Sequence, residues 1–108
     1  MGLRLMRIIA KKSITEFCSV NRRQDAAATE DALWAWHAEV DKAQWRNSSE
    51  VKAKYRSASI VSNDRIVFNI SGNKYRLVAK IKYWPPGIVW IRFIGTHVEY
   101  NKINAKEV

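Results

Sequence analysis

Thr96, His97, Glu99 and Tyr100 crowd together at the end of the run IRFIGTHVEYNKI, residues 91–103. An imidazole gains or loses a proton near neutral pH. A phenol three residues further on can donate a proton or stack on a base. Upstream, KYRLVAKIKY (74–83) carries Lys74 and Arg76, two cations able to hold a phosphate. Together these types suit phosphodiester cleavage in RNA without a metal. A base takes the proton of the 2′-hydroxyl, a cation stabilises the charge on phosphorus, and an acid protonates the leaving oxygen. The residues do not say which group is acid and which is base. Other chemistries lack their parts: no paired carboxylates, no Walker or dinucleotide glycine motif, and no cysteine–histidine cluster for zinc.

The elements that must position these groups can be read from periodicity. RIIA (7–10) reads as a short strand. SITE then offers a capping box, with Ser13 as N-cap and Glu16 at N3, opening a helix over about 13–21. A longer helix follows Asp25, itself a good N-cap, with Leu33, Trp36, Val40 and Ala43 as its core stripe and Trp34, His37 and Asp41 beside it. NSSE (47–50) starts a short basic helix. From there the period is two: strand 66–70, a glycine-containing loop SGN (71–73), strand 74–83, a WPPG turn, and strand 88–94. Helices first and an antiparallel meander after is an α+β pattern, with the helices on one face of the sheet.

In the long strand Tyr75, Leu77, Ala79, Ile81 and Tyr83 alternate with Lys74, Arg76, Val78, Lys80 and Lys82. The first set belongs under the helices. The second holds cations, one valine and no acid, which suits an anion-binding face better than a merely solvated one. A plain four-residue WPPG loop puts Lys74 opposite His97 and Arg76 opposite Gly95, all facing the cationic side, with space at Gly95 for a ligand backbone. Arg92 falls opposite Ala79, on the helix-packed side, unless a bulge shifts it, and so ranks below Arg76. THVE is a further capping box, Thr96 to Glu99, that presents His97 and Tyr100 on one face of a short helix.

At 108 residues the chain is one domain, 1–108, with residues 1–5 read as a dispensable extension ahead of a second methionine, Met6. No apolar run reaches the ~20 residues of a membrane span, and the basic N-terminus is too broken for a signal peptide. The single Cys18 excludes an internal disulfide and fits a reducing cytoplasm. The net charge of +9 is segregated: residues 25–41 hold Asp25, Glu30, Asp31, Glu39 and Asp41 with no Lys or Arg, while the cations gather from 42 onward. Such a surface steers polyanions to one side, which points to nucleic acid or the ribosome.

FNISGNKYRLVAKIKY followed by VWIRFIGTHVEYNKI closely resembles the HigB-type toxins of bacterial toxin–antitoxin pairs, within the RelE/ParE superfamily; RIIAKKSITEF and KAQWRNSSEVKAKYRSASIV resemble the same family. The resemblance covers nearly everything after Met6. It implies a RelE/ParE-like α+β fold: an N-terminal short strand and two to three helices on one face of a curved, mainly antiparallel sheet. It also implies cleavage of mRNA on the translating ribosome without a cofactor. A HigA-like helix-turn-helix antitoxin is the implied partner, and DNA is met only through that complex. The phosphate-binding arginine of the superfamily lands on Arg76, the residue closing the last strand on His97, and the C-terminal tyrosine on Tyr100. Where EYDK is common this chain has EYNK, with Asn101 in place of aspartate. The superfamily also contains gyrase poisons and members with poor nuclease activity, so a non-catalytic RNA- or protein-binding module and a gyrase poison stay open as alternatives.

Lys80, Lys82, Lys102 and Arg92 are expected to help bind RNA, as are Lys52, Lys54 and Arg56 of the short helix. His37 reads as structural. Trp34, Trp36 and Trp45 read as packing residues, Trp90 as packed beneath the helices, Trp84 as a possible partner contact, and Cys18 as an inert core thiol.

Overall fold

A computed structural model describes residues 6–9, 11–20, 26–72, 74–84 and 86–108. In chain order the elements are β1 (Met6–Ile9), α1 (Lys11–Val20), α2 (Ala26–Asp41), α3 (Ser48–Lys54), β2 (Ser59–Ser62), β3 (Arg65–Ile70), β4 (Tyr75–Lys82), β5 (Gly87–Thr96) and α4 (His97–Tyr100). The strands form one sheet in the order β1-β5-β4-β3-β2. β1 pairs parallel with β5, and every other neighbour is antiparallel. The α+β class and the mainly antiparallel sheet are as expected.

Apolar alternation decides which face the helices cover. Tyr75, Leu77, Ala79 and Ile81 are all buried, and they share one core with Ile14 of α1, Leu33, Trp36 and Val40 of α2, and Val51 of α3. Phe68 is the hub: its ring meets Trp36 at 5.4 Å, Tyr55 at 5.1 Å and Trp45 at 6.4 Å. Burying one such side chain stabilises the fold by roughly 1.5–3 kcal/mol. Trp84 packs partly against this core, with the Arg46 guanidinium 4.9 Å from its ring centroid.

Several boundaries move, each for a local reason. α1 is already under way at Ser13, so Ser13 is an interior residue and not the cap; the helix phase follows Ile14, which is fully buried, and Phe17, whose ring meets Tyr75 at 5.6 Å. The expected cap of α2, Asp25, lies outside the described residues. α3 starts as read, with the Asn47 side chain accepting from the Glu50 amide at 3.0 Å. β2 was not expected. It is a short edge strand, joined to β3 through Asn63 and Asp64, with Ile60 exposed.

The largest departure is a bulge in β5. Val78 pairs with Phe93 but Ala79 pairs with Ile91, so Arg92 is the extra residue. The insertion reverses side-chain parity below it. Trp90 therefore does not lie beneath the helices: it pairs with Lys80 on the opposite face, the lysine ammonium 5.5 Å from its ring. Arg92 is exposed and not packed under the helices.

Tyr55 links the helix layer across sequence, its hydroxyl donating to Glu39 Oε1 at 2.5 Å. Burial, and then the Glu39 hydrogen bond and charge, push this phenol well above the ordinary tyrosine range. Above about pH 10 the unfolded chain loses the tyrosine proton while the folded chain keeps it, so stability falls as pH rises. The melting temperature should therefore drop more steeply between about pH 9 and 11 in the native chain than in Tyr55→Phe. Tyr83, raised by burial and then by Asp64, leaves part of the slope in place. Equal slopes in the two proteins would contradict the assignment.

Candidate active site

The β3–β4 hairpin sets the register of the site. Ser71 and Gly72 both adopt left-handed backbone, with φ of 56° and 69°, and the turn brings Ile70 opposite Tyr75. Arg76 then falls between Asn69 on β3 and Gly95 on β5. The β4–β5 ladder ends one step further at Tyr75 and Thr96, where the chain turns into α4.

Thr96 and Glu99 form the expected capping box. Thr96 Oγ1 accepts from the Glu99 amide at 3.2 Å, and Glu99 Oε1 accepts from the Thr96 amide at 2.8 Å. The returning carboxylate crosses directly over Gly95: a β-carbon there would lie 2.9 Å from Glu99 Oε1 and 2.6 Å from Phe93 Cζ. The space expected for a ligand backbone at Gly95 is thus filled by the cap itself.

The box brings His97 and Tyr100 to Arg76. Arg76 Nε donates to His97 Nε2 at 3.2 Å, and Nη2 lies 3.4 Å from Nδ1. A neutral imidazole has one acceptor nitrogen, so in this arrangement Nε2 carries no proton. The same guanidinium lies 5.4 Å from the Tyr100 ring centroid, and Phe93 supports that ring from 6.4 Å. All three groups are half-buried. Neither of these partners is a carboxylate, which leaves the guanidinium charge for an anion.

A family model for HigB toxins, described as the RelE-like toxic component of a toxin–antitoxin system, matches residues 29–103. The chain belongs to the HigB-type, RelE-like toxins. No curated protein shows significant similarity to it. As a member of this family it is the toxic component of a toxin–antitoxin pair, and its partner is an antitoxin.

The remaining expected residues of this HigB-type toxin are dispersed. Lys74 is exposed in the turn before β4; since His97 is already helical, the two do not face each other across the ladder. Lys82 and Lys102 are exposed, and Lys80 is half-buried on the face of Arg76. Arg92 donates through Nε to the main-chain oxygen of Val108 at 3.2 Å. Lys52 closes the loop after α3 by donating to the carbonyls of Arg56 and Ala58, at 2.6 and 2.5 Å. Lys54 lines a cleft with Ala38, Glu39 and Trp45 in the helix layer, away from Arg76. Arg56 is exposed.

Asn69 is the neighbour that the sequence reading missed. It pairs with Arg76, its amide donates to Ser57 O at 2.9 Å, and its buried Oδ1 has no hydrogen-bond partner among the described residues. A polar side chain interrupting the apolar run IVFNI, opposite the arginine, was the available signal. Cys18 is half-buried, and burial, followed by Glu30, raises its thiol; that keeps it un-ionised and unreactive. No helix of the described residues is long and apolar enough to cross a membrane.

Proposed function

We propose that this toxin is a ribosome-dependent endoribonuclease that cuts mRNA, without a cofactor, by attack of a 2′-hydroxyl on the adjacent phosphate. The observation that carries the reading is the convergence of Arg76, His97 and Tyr100 on a cationic sheet face. A scissile phosphate entering this hollow competes with His97 for the Arg76 guanidinium. A charge-assisted bond to phosphate is roughly twice as strong as one to a neutral acceptor. The guanidinium therefore moves to the phosphate, and Nε2 of His97 is released to take the 2′-hydroxyl proton.

As the new P–O2′ bond forms and the P–O5′ bond breaks, Arg76 stabilises the charge on the non-bridging oxygens. Tyr100, whose ring centroid lies 5.4 Å from the guanidinium, protonates the 5′-oxygen in this reading. The products are a 2′,3′-cyclic phosphate and a 5′-hydroxyl end. Lys74, Lys80, Lys82 and Lys102 extend the positive face along which RNA and ribosomal RNA would track, with Arg92, Lys52, Lys54 and Arg56 at greater remove. A HigA-like antitoxin would hold the toxin inactive in the cytoplasm.

Inducible expression with primer extension on translated mRNA tests the proposal. The native chain should arrest growth and leave codon-phased cuts. His97→Ala, at equal protein level, should lower cutting by at least about 10²-fold. Growth arrest with intact transcripts would replace cleavage by binding alone, and double-strand DNA breaks would replace it by gyrase poisoning.

A further inference from the structure

α4 is a single turn with no fully buried side chain, yet it carries His97 and Tyr100. One turn fixes many dihedral angles for few hydrogen bonds and does not persist alone. The capping box fixes its start. Its other end is continued by Asn101, Lys102 and Ile103, whose amides bond back to His97, Glu99 and Tyr100 carbonyls at 3.0, 3.1 and 3.2 Å. A second turn follows, in which the Glu107 and Val108 amides both donate to Asn104 O, at 3.0 and 2.9 Å.

This segment comes back over the sheet face that carries Arg76. There Arg65 Nη2 and Arg92 Nε both donate to the Val108 main-chain oxygen, each at 3.2 Å. Arg65 is only 8% exposed and is held from behind by Asp64 at 3.0 Å. Asp64 is itself fixed, accepting from Ser62 Oγ at 3.1 Å and, through its carbonyl, from the Ile81 amide at 2.8 Å. Val67 and Val78, cross-strand partners on the same face, are 1% and 0% exposed. With α1–α3 on the other face, these valines are covered from the side of Arg76, where Phe93 pairs with Val78 and Arg65 flanks them on β3.

We infer that Arg65 and Arg92 are positioning residues for the candidate site. By clamping Val108 they hold segment 101–108 against the sheet, and so fix where α4 presents His97 and Tyr100 to Arg76. The inference rests on the proposed function only for its catalytic consequence. A second phosphate subsite would need these guanidiniums open to solvent. Arg65 is instead buried and already paired with a carboxylate, which suits a clamp. The bulge at Arg92 gains a purpose here: as the extra residue it has no partner on β4, and its Nε is free to donate to Val108 O.

The toxin has two histidines, which gives the test an internal reference. His37 lies in α2 with its ring 5.5 Å from Trp34, on the other layer. In long-range ¹⁵N–¹H spectra of the full chain, Arg65→Gln/Arg92→Gln should shift and broaden the His97 ring resonances and leave those of His37 in place. Arg92→Gln alone, on an exposed side chain, should give the same change in smaller degree and serves if the double variant does not fold. Arg92→Lys, which can still donate to Val108, should restore the native spectrum. In cleavage assays the double variant should lose about tenfold in kcat, over and above any rise in KM from the missing Arg92 charge, the mark of displaced groups at the reacting centre. Unchanged His97 resonances in a folded variant would overturn the clamp. A chain that cuts no RNA at all would overturn the proposed function, while the spectra still decide the clamp.

Discussion

Arg76→Ala should reduce mRNA cleavage by about 10²–10³-fold, the usual cost of removing one group that stabilises developing charge. The effect is expected to be large because the guanidinium has two jobs. In the proposed mechanism it supplies the positive charge at phosphorus, and in the structure its Nε donates to His97 Nε2 at 3.2 Å. Alanine removes both and leaves Tyr100 without the cation 5.4 Å from its ring. Stability should change little, since the side chain is half-buried at the sheet surface and its contacts are to polar or aromatic neighbours. Arg76→Lys keeps the charge but loses the planar fork, so it should recover only part of the rate. Single-turnover cleavage on programmed ribosomes, with melting curves for each variant, separates the two effects. Full cutting by a folded Arg76→Ala would remove this arginine from the mechanism.

The face of the site was legible in the sequence because its determinants are local. Alternation from Tyr75 to Lys82 separates cations from core. Arg76 lies opposite Gly95 as expected, but for a different reason. The loop after β4 is one residue longer than a plain WPPG turn, with Lys82 and not Tyr83 opposite Ile88, and the bulge at Arg92 offsets the difference. The Thr96–Glu99 box is written in four consecutive residues. What stayed hidden depends on partners distant in the chain. The bulge at Arg92 leaves no local mark, since WIRF alternates plausibly with or without an extra residue, and only pairing with β4 shows where parity flips. Trp90 was misplaced for that reason alone. The returning segment 101–108 has no periodicity of its own; its last residue, Val108, is held by Arg65, 43 positions earlier. β2 was missed because an exposed edge strand buries too little to leave an apolar signature. For α1, the core demand of Ile14 prevailed over the capping signal at Ser13.

Gly95→Ala should be the most damaging substitution that touches no proposed catalytic group. Its β-carbon would sit 2.6 Å from Phe93 Cζ and 2.9 Å from Glu99 Oε1, distances that real side chains do not tolerate. Relief requires Phe93 to move, which disturbs its contact with Tyr100, and Glu99 Oε1 to shift, which strains the capping box. Overpacking of this kind costs about 1–3 kcal/mol, and each kcal/mol lowers the melting temperature by roughly 4–8 °C in a domain near this size. Activity should fall further than stability, because both shifts displace α4 with His97 and Tyr100. Gly72 supplies the contrast. Nothing lies within 4 Å of a β-carbon there, and its requirement is the φ of +69° alone. Asparagine tolerates that conformation, so Gly72→Asn should keep most of both stability and cutting. Circular dichroism melts and cleavage rates measured well below the transition compare the two. If Gly95→Ala cuts as well as Gly72→Asn, the position of α4 is not what limits the chemistry, and the coupling between cap and site fails with it.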